Sequence, residues 1–522
     1  MKIRSNIRNL IIILIFYLLS YGLILTNGGV YFDDWTLYHV GKQYIIDDFI
    51  RYGNPLHGYL LSYLSFIDIS LYIYKFISFF CYLASSVFIY KILGKIDKID
   101  KISAFIITLF FMLFPVNFAR ISLSTYPYAL SYFVFFASFW LTTRNLNKQN
   151  NTLRIIIPFL YCLSFFMYSL VFFYLVVILY ILYHDYLLWK RQNRWFISFL
   201  RKRIEFLLLP IIFWVIKGIL FTNSGIYSDY NVVTLKRIYD LPKLLLLFWK
   251  SFILDYTNDI YSTFRTNYLE IICLSLFVFL CLKCFIKIKK LETISTLDKY
   301  FFFLGIIIIN LAVLPYLAVG HMPSLYEWTS RHQILLPLGI SLSLYYGLRR
   351  IIRGFGYKSS LFIISVIISF CIFKNIEIYY SFQKDWFKQL SLISNFRSDN
   401  VIKYNTTFFF DDRTLDYNAI KRTYRFYEFN GIFKYCFNDE NRFGENLVNI
   451  NNFVDYQAIT KLPRYNMSSY IKGEKDVLVK IENGDYQLNI WNIFYLLYSN
   501  YFNRNEFNDK INKIVKLDTQ PI

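Results

Sequence analysis

The stretch NLIIILIFYLLSYGLILT, Asn9 to Thr26, holds 18 residues and no charge. At 1.5 Å of rise per residue it makes a helix roughly 27 Å long, close to the hydrocarbon thickness of a bilayer. Its apolar core is long for a signal peptide, and no small-x-small pattern precedes VYFDDW, so it reads as a retained first helix. The chain then continues as NGGVYFDDWTLYHV, Asn27 to Val40, with two adjacent aspartates, Asp33 and Asp34.

Runs of this kind recur through all but the last part of the chain. Of its 522 residues, 56% are hydrophobic and 17% charged, against about 25% charged in soluble domains. The sequence predicts an all-α polytopic membrane protein with about eleven transmembrane helices. They fall at about 9–27, 70–93, 103–116, 125–142, 155–168, 170–188, 205–221, 269–288, 300–317, 332–348 and 359–377. Ile155 to Trp189 is too long for one pass and basic on both flanks, which predicts two short helices meeting near Tyr168.

The net charge of +21 sits largely in short connectors. These are Lys2 with Arg4 and Arg8, Lys91 to Lys101, Arg144 to Arg154, Lys190 to Arg203, Lys283 to Lys290 and Arg349 to Lys358. That distribution is the positive-inside pattern, not a nucleic-acid footprint. It places the chain in the plasma membrane with a cytoplasmic N-terminus. Seven cysteines show neither a disulfide framework nor a zinc spacing, and Cys281 and Cys284 read as buried filler.

Two outer loops are long. Between about 34 and 67, DWTLYHVGKQYIIDDFIRYG and NPLHGYLLSYLSFI read as two surface helices, with Pro55 breaking the chain between them. In the loop at about 222–268, PKLLLLFWKSFILDY reads as another. The transmembrane domain is expected over 1–377 and a small extracytoplasmic α+β domain over 378–522. There TTFFFDD reads as a buried strand and NAIKRTYRFYEFNGIFKYCF as a helix.

With this topology, ionisable residues gather at the outer face. Four of the five histidines lie there: His39, His57, His321 and His332. Arg120 lies in the turn VNFARISLSTY, Lys217 near the outer end of FWVIKGILF, and Arg331 beside His332 in YEWTSRHQILLPLG. A lysine inside a span is a functional candidate, although one near a helix end can snorkel. Adjacent side chains diverge, so Asp33 and Asp34 cannot share one proton as a parallel pair. One can face a cleft while the other caps a helix or binds a cation. Asp34 stands where an N-cap of the following helix would be, and capping with solvation accounts for the pair equally well.

The order of a first helix followed by the acidic pair of YFDDWTLYH resembles the GT-C type glycosyltransferases. That superfamily includes the protein O-mannosyltransferases and the lipid A aminoarabinose transferases. NPLHGYLLSYLSF looks like their second surface helix, and SRHQILLPLG is similar to the entry into a late span of several bacterial members. YRFYEFNGIFKYCFNDENRFG resembles the tail of further bacterial members. In the mannosyltransferases the second acid is a glutamate; here it is Asp34. The resemblance implies inverting transfer of a sugar from a polyprenyl-phosphate donor to an envelope glycan, lipid or protein. It implies Asp33 as general base and Asp34 as its orienting or cation-binding neighbour. Arg120, Lys217 and Arg331 become phosphate ligands, with His332 and His57 among the substrate-binding residues. No cofactor is implied, and a divalent cation is left open. The alternatives are an O-antigen polymerase or ligase, which carries basic catalytic residues in a large outer loop, and a lipid-linked glycan transporter. Transporters place charges near the midplane and often show repeats; no repeat is visible here.

Overall fold

The computed structural model describes residues 2–38, 40–64, 70–148, 150–189, 195–228, 231–285, 296–325, 328–448, 462–473 and 475–522. The first helix, α1 (Lys2–Tyr21), ends in a short 3-10 turn, Gly22–Thr26. The following loop then forms a 3-10 turn at Phe32–Thr36 and two short helices, α2 (Lys42–Arg51) and α3 (Pro55–Leu64). As expected, Pro55 opens the second of these. Gly53 makes the corner between them at a φ of 74°, a conformation glycine adopts without steric cost.

The bundle continues with α4 (Ser70–Leu93), α5 (Lys101–Leu113), α6 (Tyr126–Lys148), α7 (Asn151–Ser164), α8 (Ser169–Phe173) and α9 (Leu175–Trp189). The long run from Ile155 does break, over Phe165–Tyr168, between α7 and α8. Then come α10 (Trp195–Lys202), α11 (Ile204–Leu220), α12 (Leu235–Thr266), α13 (Tyr268–Phe285), α14 (Thr296–Ala318), α15 (Leu336–Ile351) and α16 (Tyr357–Ser398). Each of the eleven expected segments thus contains α-helix among its described residues. Among the described residues, five helices are long and apolar enough to cross a membrane: Ile7–Thr26, Leu71–Leu93, Ser169–Leu188, Leu297–Ala318 and Tyr357–Ser398. The pair α12 and α13, bent by 97°, makes a sixth if it counts as one span. The short surface helix expected near Pro242 is really this 32-residue α12.

The expected domain boundary at 378 falls inside a helix. α16 runs 42 residues without interruption and carries buried Gln383, Asp385, Lys388 and Gln389 beyond the apolar part. The polarity that suggests a boundary there reflects burial against new partners, because buried polar groups persist where they are hydrogen-bonded.

The rest of the chain forms a small α+β unit. It contains α17 (Asn400–Tyr404), β1 (Thr407–Asp412), α18 (Phe426–Phe437), β2 (Phe443–Asn446), β3 (Asp476–Asn483), α19 (Ile490–Phe502), α20 (Arg504–Ile511) and β4 (Val515–Pro521). The sheet order is β2-β1-β3-β4. β1 pairs in parallel with both β2 and β3, and β4 is antiparallel to β3. Its central place explains why β1 reads as a continuous apolar run, with Phe408, Phe409 and Phe410 all buried. The helix read over Asn418–Phe437 begins only at Phe426. Before it, Ile420 and Lys421 have positive φ, and the Asn418 side chain is taken by Lys388, Asp412 and the Arg422 carbonyl. Local side-chain bonding of this kind outcompetes a helix.

This unit shares a core with the loop after α1. Val30, Trp35 and Tyr38 pack into one cluster with Trp386, Phe387, Phe429, Ile432 and Phe433. The Trp35 ring lies so close to Gly431 that a Cβ there would sit 2.6 Å from it. The loop after α1 and the C-terminal unit therefore occupy the same end of the bundle.

Candidate functional site

The chain leaving α1 is pinned between α4 and α16. Lys75, fully buried in α4, donates to the carbonyls of Asn27 and Gly29, both at 2.8 Å, and to Asn27 Oδ1 at 3.2 Å. Gln389 of α16 exchanges hydrogen bonds with the Val30 backbone at 3.1 and 2.8 Å. The Tyr31 hydroxyl donates to the Phe382 carbonyl at 2.6 Å. A Cβ at Gly28 would sit 2.7 Å from the Tyr72 hydroxyl and 2.8 Å from Trp386. Phe32 then takes a φ of 54°, which costs a bulky residue on the order of 1–3 kcal/mol. Its ring is held between Trp328, stacked at 5.3 Å, and the Arg422 guanidinium at 4.6 Å. The strained residue immediately precedes the acidic pair.

The two carboxylates diverge. Asp34 turns inward and is buried. It accepts the Leu123 amide at 2.7 Å, the Ser124 amide at 2.9 Å and the Ser124 hydroxyl at 2.8 Å. Its role is a cap, but for the distant turn Leu123–Thr125 that leads into α6, not for the helix next in sequence. Both of its oxygens are engaged by these donors. Burial pushes its carboxyl up to about 7, against the pull of the Ser124 and Leu123 donors.

Asp33 faces the other way, and its side chain is 35% exposed. Oδ1 accepts a hydrogen bond from the Tyr427 hydroxyl of α18 at 3.1 Å. Oδ2 lies 3.9 Å from Nη1 of Arg331. Arg331 belongs to a 3-10 turn, Trp328–Gln333. Its guanidinium stacks on Trp328 at 4.1 Å, and its Nε donates to His332 Nε2 at 3.3 Å. An accepting Nε2 leaves the imidazole proton on Nδ1. That buried nitrogen has no partner among the described residues. Burial, then the Arg331 charge, hold His332 well below its ordinary pKa. Its ring lies between Tyr316 at 4.8 Å and His321 at 5.1 Å.

Arg331 and His332 open onto a pocket of about 990 Å³, part of it open to solvent. Ser169 and Phe172 of α8, Trp214 and Lys217 of α11, and Pro315 and Tyr316 of α14 form much of its wall. Lys217 Nζ sits over the rings of Tyr168 at 4.1 Å and Trp214 at 4.9 Å. Among the described residues, no aspartate or glutamate lines this pocket. Aromatic faces and two basic side chains give it the chemistry of a site for a phosphate joined to an apolar or sugar group.

Of the residues singled out in the sequence, Lys217, His321, Arg331 and His332 converge here; Asp33 is not part of the lining and lies beside Arg331. His57 stands one layer behind. Its Nδ1 meets the Asn54 amide nitrogen at 2.9 Å, and its ring lies edge-on to Tyr128 at 5.3 Å; Asn54 and Tyr128 line the pocket. Burial pushes His57 down to about 3.

Arg120 does not reach the pocket. Its guanidinium lies against the rings of Tyr21 at 4.5 Å and Tyr82 at 4.6 Å. It donates to the carbonyls of Val116 and Asn117. It is therefore a packing cation and not a phosphate ligand. The turn it holds, Phe118–Ile121, reaches the site indirectly, because the Ala119 amide bonds the hydroxyl of Ser330 at 3.1 Å, next to Arg331. His39 lies outside the described residues.

Two residues that hold this region escape the sequence reading. Tyr427 is 394 residues from Asp33, and nothing local marks it. Lys75 does carry a signal: it is an ionisable residue within SLYIYKFISFF, just as Lys217 is within its span. Among the described residues, no group of three or more His, Cys, Asp or Glu converges to hold a metal ion. No model of a known protein family matches the chain, and no curated protein matches it in sequence.

Proposed function

We propose that the protein is a membrane glycosyltransferase of the GT-C type. It moves a sugar from a polyprenyl-phosphate carrier to a hydroxyl of an envelope glycan, lipid or protein at the extracytoplasmic face of the plasma membrane. One observation carries this reading. An accessible carboxylate, Asp33, lies 3.9 Å from Arg331, and Arg331 also lines the aromatic pocket that holds Lys217. A base and a phosphate-binding cation thus stand side by side.

The chemistry follows from those positions. An alcohol is far too weak an acid to attack unaided, so a carboxylate takes its proton as the new bond forms. The acceptor oxygen attacks the anomeric carbon from the face opposite the phosphate, and the carbon–oxygen bond to phosphate breaks. The sugar is inverted, the proton resides on Asp33, and polyprenyl phosphate departs with its electron pair. Arg331 and Lys217 stabilise the charge that develops on it. Neutral His332 accepts from Nε of Arg331 and so positions the guanidinium. Tyr427 holds one oxygen of Asp33 and leaves the other for the acceptor.

α11 turns Ile211, Val215 and Ile219 outward, which suits a prenyl chain running down from Lys217 into lipid. The core shared by the first loop and the C-terminal unit supports an even number of crossings between them. The basic connectors favour an extracytoplasmic assignment for both.

The test is Asp33→Asn, which keeps shape and removes the base. Transfer from a polyprenyl-phosphate sugar in a reconstituted assay should fall by about 10²–10⁴-fold, with expression and melting unchanged. Near-normal transfer would sink the assignment. Activity only with a diphosphate-linked oligosaccharide would favour a polymerase or ligase.

A further inference from the structure

We propose that the outward face of α19 is a membrane anchor, seated in the headgroup region of the bilayer that the helical bundle crosses. The inference rests on that crossing and not on glycosyl transfer.

From Tyr486 to Asn503 the chain has 18 residues and no charge. α19 occupies most of this stretch, and its two sides differ in accessibility but not in polarity. Ile493, Leu496 and Ser499 face inward and are buried. Trp491, Phe494, Tyr498, Tyr501 and Phe502 face outward at 79, 55, 58, 62 and 74% exposure. Their three- and four-residue spacing aligns them in one stripe. Isolated exposed apolar side chains are ordinary, but a contiguous aromatic stripe marks an interaction surface. Tryptophan and tyrosine in particular settle at the membrane–water boundary, with ring bodies toward the acyl chains and polar atoms toward the headgroups.

The position of α19 selects the bilayer as its occupant. β3 runs back toward the bundle, and the turn after it brings the Leu488 carbonyl to the Tyr380 hydroxyl of α16, at 3.5 Å. At the other end of α19, Tyr501 and Arg504 come near Tyr72. Tyr72 is the second residue of the apolar span Leu71–Leu93. One turn further along α4, Phe76 and then Phe80 are exposed on the outside of the bundle. α20, directly after α19, packs Phe507 against Phe387 of α16 at 6.1 Å. The aromatic stripe therefore ends where α4 enters its apolar segment, and continues the lipid-facing surface of that helix onto the C-terminal unit. Gln520, paired with Leu478 near the start of β3, lies toward the opposite end of the sheet.

The experiment uses the full chain in nanodiscs of phosphatidylcholine and phosphatidylglycerol. A photoreactive residue is introduced singly: Phe494→p-benzoylphenylalanine, the same change at Tyr498, at Phe76 as the bundle reference, and at Gln520 as the distal reference. All four sites are surface positions in the structure. After irradiation, intact mass should give phospholipid adducts at Phe494, Tyr498 and Phe76 and none at Gln520. Adducts at Phe76 without adducts at Phe494 or Tyr498 would overturn the anchor and leave the membrane bundle standing. Crosslinked dimers through Phe494 or Tyr498 would overturn it in favour of a contact between two copies. Absence of lipid at Phe76 as well would remove the membrane crossing and the anchor together.

Discussion

Replacing His57 with glutamine should abolish a specific part of the protein's acid sensitivity. The imidazole is 1% exposed. Its Nδ1 accepts from the Asn54 amide, and its Nε2 is buried without a partner among the described residues. A second proton on the ring would set Nδ1–H against the Asn54 amino group. Flipping that amide would cost its other hydrogen bond, to the Phe166 carbonyl at 2.9 Å. The folded protein thus keeps His57 neutral, with its pKa pushed down to about 3 by burial. In the unfolded chain it titrates near its ordinary value of about 6.5. Below that pH the unfolded state takes up a proton that the folded state refuses. Stability from this site is fully present above about 6.5 and is lost as pH falls toward 3, at about 1.4 kcal/mol per pH unit. Between pH 7 and pH 5 the loss is about 2 kcal/mol. The assay is denaturant unfolding of the purified protein in detergent at both pH values, for wild type and His57→Gln. Other histidines contribute equally to both proteins, so the difference between the two pH decrements isolates His57. Equal decrements would refute the buried-neutral assignment.

Two further outcomes test the site. Lys217→Met keeps the apolar stem against Tyr168 and Trp214 and deletes the charge; donor binding or turnover should fall by at least about tenfold, roughly 1.4 kcal/mol, whereas a lysine that merely snorkels would show no change in a polyprenyl-phosphate binding assay. Lys75→Met strips donors from the buried carbonyls of Asn27 and Gly29, at about 1–3 kcal/mol for each acceptor left unsatisfied; hydrogen exchange over 27–38 should accelerate relative to the rest of the bundle, and unchanged protection would mean that Gln389 and Tyr31 hold the loop alone.

The apolar segments were legible because lipid requires long uncharged runs, and β1 was legible because a strand buried on both faces cannot alternate. The divergence of Asp33 and Asp34 followed from adjacency alone. Their partners did not. Asp34 meets amides 89 and 90 residues away, and Tyr427 comes from another unit. Arg120 shows why residue type underdetermines role: a cation in an outer turn suits a phosphate or a tyrosine face, and the rings of Tyr21 and Tyr82 that decide the matter arrive from α1 and α4. Lys388 and Asp385 show the converse: charges beyond the apolar part of α16 do not end the helix, because Lys388 is satisfied by Asp412 at 2.6 Å and Asp385 accepts the Ala419 amide at 2.7 Å.

The unbroken α16 has a mechanical meaning. Forty-two residues of helix form a rod roughly 63 Å long, with one end in the bundle and the other in the core of the C-terminal unit. A lean of about 5° at the Tyr357 end carries the far end sideways by roughly 5 Å, about one helical pitch. Helices adjust their lean to the thickness of the bilayer around them. Tyr427 belongs to the unit at the far end of this rod and Arg331 to the turn before α15, so any lean of α16 relative to the bundle changes the gap between the two groups that flank Asp33.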